Sequence, residues 1–196
     1  QAFHINHLII GYDHRFGRNR EATVEDWIQA GETYEFEVHQ IEAQEIEEVN
    51  VSSTKIRNAL ALGNIQKATQ YLSRPYSLFG KVVEGKKIGR TIGFPTANLS
   101  IAEDYKLVPA DGVYFIKTNF EANEYFGMMN IGFRPTVEGI RRSYEVHLFA
   151  FNSNLYEENL TIVFLQQIRK EQKFDTLEDL KKQLEIDKAH CQNLIR

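Results

Sequence analysis

The pattern of the chain changes after Pro75, and this change constrains the fold more than any other feature. Beyond it, β-branched and aromatic residues concentrate in short runs separated by Gly, Asn and Pro, which is typical of antiparallel strands. The runs are residues 76–83, 112–118, 124–131, 144–151 and 160–168. From Thr176 the pattern becomes helical, with Leu177, Leu180 and Leu184 among its apolar positions. The second part is therefore predicted to be mostly β, a small antiparallel barrel followed by a C-terminal helix.

The first 74 residues alternate between strand and helix instead. Strands are predicted at 7–11 and 35–41, and helices at 23–31, 52–62 and 64–72. The helix at 23–31 begins at a threonine cap and ends at Gly31. This is the pattern of the rear half of an α/β sheet domain. Because residues 3–10 read as a strand already under way, we expect this segment to be truncated, and we predict two domains, 1–74 and 75–196.

Composition narrows the classes of function. The formal net charge of −4 disfavours nucleic acid as a partner, because a protein that neutralises phosphates usually presents a basic face. No apolar run approaches the eighteen or so residues of a membrane span. The one cysteine, Cys191, excludes an internal disulfide framework and is expected to be a partly buried thiol. We expect a cytoplasmic protein, a monomer or weak oligomer, with small-molecule substrates.

A glycine-rich basic loop follows the first predicted strand of the barrel. In GKVVEGKKIGRTIGFPTANL, residues 80–99, Gly85, Gly89 and Gly93 are interleaved with Lys86 and Arg90. Glycines let backbone N–H groups approach a phosphate closely, and the basic side chains add charge. The loop lacks the Gly-Lys-Ser/Thr ending of a Walker A motif. On the glycines alone, an ordinary basic hairpin loop is the better interpretation.

The pair Thr96 and Asn98 favours the phosphate-binding interpretation. The two side-chain oxygens are two positions apart, so on a strand they lie on the same face. There they could hold a hard cation against phosphate oxygens. The sequence therefore predicts a metal-assisted phosphate site at the end of this loop.

Residues 80–99 resemble the signature of the riboflavin kinase family, and four further landmarks of that family follow in order. They are LVPADGVY at 107–114, NIGFRPT at 130–136, EVHLF at 145–149 and IRKEQKF at 168–174. One such motif is weak, whereas five in order are specific, and together they cover residues 76–190. The resemblance implies a six-stranded Greek-key-like barrel and an ATP- and Mg²⁺-dependent transfer of phosphate to the terminal ribityl hydroxyl of riboflavin, making FMN.

The same resemblance assigns roles to residues. It makes Glu145 the catalytic base and places Mg²⁺ on Thr96 and Asn98. It assigns the ATP phosphates to Gly85, Lys86, Gly89, Arg90, Gly93 and Thr96. His147 is interpreted as a packed histidine. Asn130, Arg134 and Thr136 are equally consistent with a structural turn, and we leave them out of the site.

Alternation along residues 144–151 predicts which way Glu145 points. Tyr144, Val146, Leu148 and Ala150 would share one face of the strand. Glu145 would lie on the other face with His147, Phe149 and Phe151. The carboxylate is therefore expected beside a bulky aromatic surface.

The front of the chain resembles a second family. GYDHRFG at 11–17 and VSSTKIR at 51–57 are similar to the later motifs of the FMN adenylyltransferase domain, which precedes the kinase in bifunctional bacterial FAD synthetases. Ser52, Ser53 and Thr54 at a helix N-terminus, with Arg57 nearby, form a plausible anion site. The His-x-Gly-His motif of such domains is absent from this sequence. We therefore expect this site to be vestigial and the chain alone not to transfer adenylyl groups.

Two alternatives stay open, a flavin- or nucleotide-binding barrel without catalysis and an adenylyltransferase fragment that needs another chain. The sequence also departs from the kinase pattern in places. Ala150 stands where many members have Asp, Glu157 follows Tyr156 where many have Gly, and Val137 replaces a common Phe. These departures cast doubt on the packing around the flavin, and not on the reaction class.

Overall fold

The computed structural model describes residues 4–11, 21–42, 45–46, 49–85, 88–103, 105–136 and 139–195. The chain divides into two compact units, Gln1–Val51 and Ser52–Arg196, and each is described by itself. Within the described ranges, no helix is both long enough and apolar enough to cross a membrane.

The first unit contains a strand–helix–strand arrangement. Strands β1 (His7–Gly11) and β2 (Glu37–Ile41) are parallel neighbours, and helix α1 (Val24–Tyr34) lies between them in sequence. Two short antiparallel strands follow, β3 (Glu45–Ile46) and β4 (Val49–Asn50). A parallel pair with a helical connection is the repeating element of an α/β sheet, as the alternation in the sequence predicts.

Helix α1 begins where predicted but ends later. Thr23 caps it in a capping box with Asp26, whose carboxylate accepts the Thr23 N–H at 2.7 Å. The prediction that Gly31 ends the helix is wrong. A Cβ at Gly31 would lie 2.5 Å from the Phe36 carbonyl oxygen, so this glycine allows the helix to pack closely on the chain entering β2. The helix stops when Glu35 adopts a left-handed φ of 61°.

Two short helices open the second unit, α2 (Ser53–Ala61) and α3 (Ile65–Leu72). Ser52 and Asn64 cap them, each accepting the backbone N–H three residues further on. Gly63 joins them with a φ of +74°, a conformation that L side chains rarely adopt.

Both helices pack into the core of the barrel. Ala59, Leu60, Ile65 and Ala68 are at most 7% exposed and belong to its main apolar cluster. The backbone N–H of Ala110 also donates to the Leu60 carbonyl oxygen at 3.0 Å. The compact unit therefore starts at the beginning of α2, whereas the change of sequence pattern lies near residue 75.

Six strands close the barrel. They are β5 (Ser77–Val83), β6 (Ala97–Ser100), β7 (Gly112–Phe120), β8 (Asn123–Thr136), β9 (Gly139–Leu148) and β10 (Asn159–Lys170), in the spatial order β10-β5-β6-β9-β8-β7. Every neighbouring pair is antiparallel, and β10 pairs with β7 to complete the ring. One helical turn, α4 (Ile88–Thr91), lies between β5 and β6, and α5 (Leu177–Leu194) ends the chain. The predicted six-stranded antiparallel barrel with a C-terminal helix is confirmed.

Alternating side chains give the barrel two apolar regions. Inward-pointing residues such as Tyr114, Met129 and Val146 form the main core. A second cluster packs between the outer face of the barrel and α5 and consists of Phe94, Val113, Phe115, Met128, Phe149 and Cys191. Cys191 is fully buried, and burial raises the pKa of its thiol to about 12.

The predicted alternation along β9 holds only to the end of the strand. Leu148 belongs to the main core as expected. Phe151 was predicted to share the face of Glu145, and this is wrong: it packs against the main core, with its ring centroid 4.9 Å from that of Tyr125. The strand ends at Leu148, and Ala150 adopts a φ of 52°, so the alternation does not continue beyond it.

Candidate functional site

Three polar residues occupy matching positions on adjacent strands. Glu145 on β9 pairs in register with Asn98 on β6 and with Asn130 on β8. Directly opposed residues of antiparallel neighbours project from the same face of a sheet. The three side chains therefore form a polar row on the outer face of the barrel. Asn130, which the sequence analysis left out of the site, belongs to this row.

Thr96 joins the row from the loop that precedes β6. Its hydroxyl donates a hydrogen bond to Glu145 Oε2 at 3.3 Å. Strand β6 begins at Ala97, one residue after Thr96. Asn98 therefore lies on the strand as predicted, whereas Thr96 lies just before it. Both predicted metal ligands nonetheless adjoin the predicted base, Thr96 through this hydrogen bond and Asn98 through strand pairing.

His147 holds the segment that carries Thr96. Its Nδ1 lies 2.8 Å from the Pro95 carbonyl oxygen, which can only accept, so Nδ1 carries the proton and donates. The ring is 8% exposed and lies 5.2 Å from the Phe94 ring, centroid to centroid. Burial lowers the pKa of His147, an effect that the Pro95 bond opposes and Lys188 reinforces. This geometry agrees with a packed, neutral histidine.

Two clefts meet at Thr96. The first, here called the loop cleft, has a volume of about 550 Å³ and lies between Gly85 and Arg90 on one side and residues 152–156 on the other. Its floor includes the core residues Val82 and Val146. Thr96 also lines this cleft.

The second, here called the helix cleft, has a volume of about 420 Å³ and lies between the outer face of the barrel and α5. Glu145, Asn130 and Thr96 line its polar end. Both the barrel and α5 contribute to its apolar walls, which consist of Ile92, Phe94, Val113, Met128, Phe174, Leu177, Leu180 and Leu184. A cleft with apolar walls and a few convergent polar groups is the usual form of a small-molecule site.

A buried ion pair anchors α5 over the helix cleft. Arg169 Nε on β10 donates to both carboxylate oxygens of Asp187, at 2.9 and 3.1 Å, and Gln183 Nε2 donates to the same carboxylate at 2.9 Å. Asp187 is 2% exposed. Arg169 also lines the cleft and lies 5.6 Å from the centre of the Phe174 ring. This cluster therefore connects a wall of the cleft to the helix that covers it.

The sequence analysis missed this ion pair, although one signal pointed to it. Leu180, Leu184, Asp187 and Cys191 follow one another at helical spacing, so a single acid stands on the apolar face of α5. An acid in that position must be paired, because an isolated buried charge is costly.

Comparison with known proteins settles the family. The family model described as riboflavin kinase matches residues 72–195, well over half of the chain. The chain belongs to the riboflavin kinase family. A second family model, described as FAD synthetase, matches residues 1–55.

Relatives of this riboflavin kinase family member carry both activities in their names. The bifunctional riboflavin kinase/FMN adenylyltransferase of Haemophilus influenzae is 40% identical over 94% of this chain and 59% of that protein. Its counterpart in Pseudomonas fluorescens is 38% identical over 97% of this chain and 61% of that protein. The chain thus spans about three fifths of the length of these relatives. A solved structure described as a macrolide-efflux protein from Streptococcus pneumoniae matches with a TM-score of 0.82 and 37% identity, over 94% of this chain and 60% of that one.

The predicted phosphate-binding residues of this family member separate into distinct positions. Gly85 and Arg90 line the loop cleft. A Cβ at Gly85 would lie 1.9 Å from Asn98 Nδ2, so a side chain at this position would displace the Asn98 amide. Gly89 lines the helix cleft instead. Gly93 lines neither cleft and supplies a turn with a φ of +84°, and Lys86 lies outside the described residues.

The residues predicted to form a vestigial adenylyltransferase site lie at the start of α2. Ser52 caps the helix by accepting the Lys55 N–H at 3.4 Å, and Ser53, Thr54 and Arg57 are exposed. None of these residues lines either cleft. The other motif of that resemblance, at residues 11–17, lies outside the described residues beyond Gly11. The anion-binding role of this helix start stays a prediction.

Proposed function

We propose that the chain phosphorylates the terminal ribityl hydroxyl of riboflavin, with ATP as phosphate donor and FMN and ADP as products. The observation that carries the proposal is the position of Thr96, which lines both clefts and is hydrogen-bonded to Glu145. A donor in one cleft and an acceptor in the other would meet beside a carboxylate. Phosphoryl transfer needs this arrangement, because it depends mainly on positioning and charge stabilisation.

We propose one substrate for each cleft from the residues that line it. The helix cleft has apolar and aromatic wall residues, including Phe94 and Phe174, which suit an isoalloxazine ring. Its polar end at Glu145 then faces the ribityl chain. The loop cleft offers Gly85, the Arg90 side chain and the polar 152–154 segment, which suit a nucleotide and its phosphates.

Glu145 acts as the general base in this proposal. A primary alcohol is a poor nucleophile, so the carboxylate accepts the hydroxyl proton as the oxygen attacks the γ-phosphorus. One O–P bond forms to the ribityl oxygen and one breaks to the ADP oxygen. Thr96 donates to Glu145 Oε2, which fixes the position of the carboxylate at the edge of the helix cleft.

The residues present fit a divalent cation such as Mg²⁺. Thr96 and Asn98 contribute a hydroxyl and an amide oxygen next to the Glu145 carboxylate, and hard cations prefer oxygen ligands. We propose that Thr96 and Asn98 would hold the ion. When bound, it would neutralise charge on the nucleotide phosphates.

Product analysis tests the proposal. The purified chain is incubated with riboflavin, ATP and MgCl₂, and the products are separated by chromatography. We expect FMN and ADP in equal amounts, with no FMN when ATP is omitted. Riboflavin that binds but stays unchanged at every magnesium concentration would contradict the kinase and support the non-catalytic barrel.

Substitution of Glu145 tests the base. Glu145→Gln keeps the size of the side chain and the acceptor for Thr96 but cannot take a proton, so we expect kcat to fall by about 10²–10⁴-fold. Binding of riboflavin, followed by its fluorescence, should change little. Glu185→Gln, an exposed substitution on α5, is the matched control and should keep full activity. Equal activity in both variants would exclude Glu145 as the base without excluding the kinase.

We propose adenylyl transfer only for a longer protein that contains the whole adenylyltransferase domain, and not for this chain alone. Residues 1–55 match the FAD synthetase model, which favours this second activity in a whole protein. The chain alone lacks the His-x-Gly-His motif. We therefore expect no FAD when it is given FMN, ATP and MgCl₂, and clear FAD formation would contradict this expectation. Because the proposed reaction consumes ATP, we propose that the protein acts in the cytoplasm, where ATP is available.

A further inference from the structure

Three metal-ligating side chains converge in the first unit, on a different part of the chain from the proposed kinase site. His7 lies on β1, and Glu37 and His39 lie on β2. His7 pairs in register with Glu37, and His39 follows two residues later, so all three project from one face of the parallel pair. Leu8, Val38 and the buried Ile10 occupy the opposite face.

The three ligand atoms form a nearly equilateral triangle. His7 Nδ1 lies 3.3 Å from His39 Nε2 and 3.3 Å from Glu37 Oε2. His39 Nε2 lies 3.2 Å from the same Glu37 oxygen. The centre of such a triangle is about 1.9 Å from each corner, slightly less than the 2.0–2.2 Å of zinc–nitrogen and zinc–oxygen bonds. An ion just out of the plane would therefore contact all three atoms at normal lengths.

Hydrogen bonding alone satisfies this arrangement less well. The two ring nitrogens face each other and also the same carboxylate oxygen, so protons must be shared among three atoms at one point. A cation at that point uses one lone pair from each of the three groups at once. Two imidazoles and one carboxylate are a ligand set typical of zinc, with an open fourth position for water.

We propose that His7, Glu37 and His39 bind one divalent transition-metal ion of the Zn²⁺ class, with water as the fourth ligand. The two nitrogen donors distinguish this site from the oxygen-only ligands that Mg²⁺ prefers. The side chains are 54–69% exposed, so an ion can enter from solvent without unfolding the unit. The site is independent of the proposed kinase function.

Titration of the full chain with ZnCl₂ alone tests the proposal. Binding is followed by calorimetry and by competition with a chromogenic chelator, in buffer without magnesium or nucleotide. We expect one equivalent of Zn²⁺ to bind. His7→Ala and His39→Ala should each weaken this binding at least tenfold.

Two further variants keep the test decisive. Glu37→Gln retains the size of the carboxylate and is expected to fold normally, so weaker binding in this variant reports on the ligand itself. His190→Ala removes an exposed histidine of α5 and should bind Zn²⁺ like the original chain. Circular dichroism checks that each variant is folded.

Substitution of Co²⁺ reports the geometry, because four-coordinate cobalt absorbs visible light much more strongly than six-coordinate cobalt. We expect the intense four-coordinate spectrum in the original chain and its loss in the folded Glu37→Gln variant. The proposal would be overturned if the original chain bound no equivalent of Zn²⁺ tightly. It would also be overturned if the His7, Glu37 and His39 variants kept the affinity and the cobalt spectrum of the original chain.

Discussion

His147 is a residue whose charge state is set by burial. Because its pKa is lowered in the folded protein, the unfolded chain binds a proton there at pH values where the folded protein does not. Its contribution to stability is therefore complete above the ordinary histidine pKa of about 6.5 and is lost as the pH falls below that value.

We expect the free energy of unfolding to decrease between pH 7 and pH 5, and this decrease to be smaller in His147→Gln. Glutamine can still donate to the Pro95 carbonyl oxygen but does not titrate. Urea denaturation at several pH values measures the effect. His190→Gln, an exposed histidine on α5, is the control and should keep the original pH dependence. Identical curves for His147→Gln and the original chain would contradict the assignment.

Ala150 carries backbone strain beside the loop cleft. Its φ of 52° lies in the left-handed region, and Glu157, on the other side of the same connection, has a φ of 70°. An L residue in this region costs about 1–2 kcal/mol, whereas glycine loses about 0.5–1 kcal/mol in chain entropy. These are the two positions where the sequence departs from the Asp and Gly common in the family.

Ala150→Gly is therefore expected to stabilise the protein by up to about 1 kcal/mol, because the strain removed exceeds the entropy lost. Thermal or urea unfolding measures the change. Ala189→Gly, an exposed position inside α5, should have the opposite sign and destabilise by about 0.5–1 kcal/mol. Destabilisation of similar size in both variants would show that position 150 is not strained.

A buried acid, Asp187, pairs with Arg169 and helps to hold helix α5 on the barrel, together with the apolar contacts of Leu184 and Cys191. Removal of one partner from a buried ion pair leaves the other charge uncompensated, at a cost of about 3–5 kcal/mol. Here that partner is Arg169, which lines the helix cleft and has a side chain that is 15% exposed.

We expect Asp187→Ala to lower the free energy of unfolding by about 3 kcal/mol and to raise KM for riboflavin more than KM for ATP. The second effect follows because α5 and Arg169 line only the helix cleft. Glu178→Ala breaks the exposed pair with Lys182 on the same helix and should cost less than about 0.5 kcal/mol. Equal effects of the two substitutions would contradict an anchoring role for Asp187.

Local patterns in the sequence predicted the elements well. Runs of β-branched and aromatic residues located five of the six barrel strands, all except β6. The four longer helices begin one residue after their predicted starts. The predictions that were wrong concern residues whose role depends on contacts between elements. Gly31 serves the packing of α1 on the chain entering β2, and a helix end cannot be distinguished from such a contact by sequence alone.

The candidate site shows the same division. Glu145 and Thr96 were predicted through the family resemblance, and the structure joins them with a hydrogen bond. Asn130 and the Arg169–Asp187 pair were missed, because only the pairing of β8 with β9 and the packing of α5 bring them to the site. Strand partners far apart in sequence are set by the topology, which the local pattern does not contain.

At the scale of the whole molecule, α2 and α3 belong to the folding unit of the barrel. Leu60 and Ile65 are at most 1% exposed, and burial of such a side chain contributes about 1.5–3 kcal/mol. Their loss would remove several kcal/mol from a total stability of about 5–15 kcal/mol. The sequence pattern changes near residue 75, but the packing unit begins with these helices.

We therefore expect a fragment of residues 52–196 to fold with near-original stability and a fragment of residues 75–196 to be less stable by several kcal/mol. Urea denaturation followed by circular dichroism compares the two fragments, and FMN production shows whether each keeps an intact site. Equal midpoints would place the boundary for folding at 74/75, as the sequence pattern predicts.

The position of Thr96 at the meeting point of the two clefts also determines the order of events during turnover. Under the proposed function, donor and acceptor occupy adjoining spaces at the same time, and phosphate passes directly between them. No phosphorylated form of the enzyme is needed as an intermediate. The kinetic scheme is then one of a ternary complex, in which ADP and FMN both leave after transfer, and not one of alternating half-reactions.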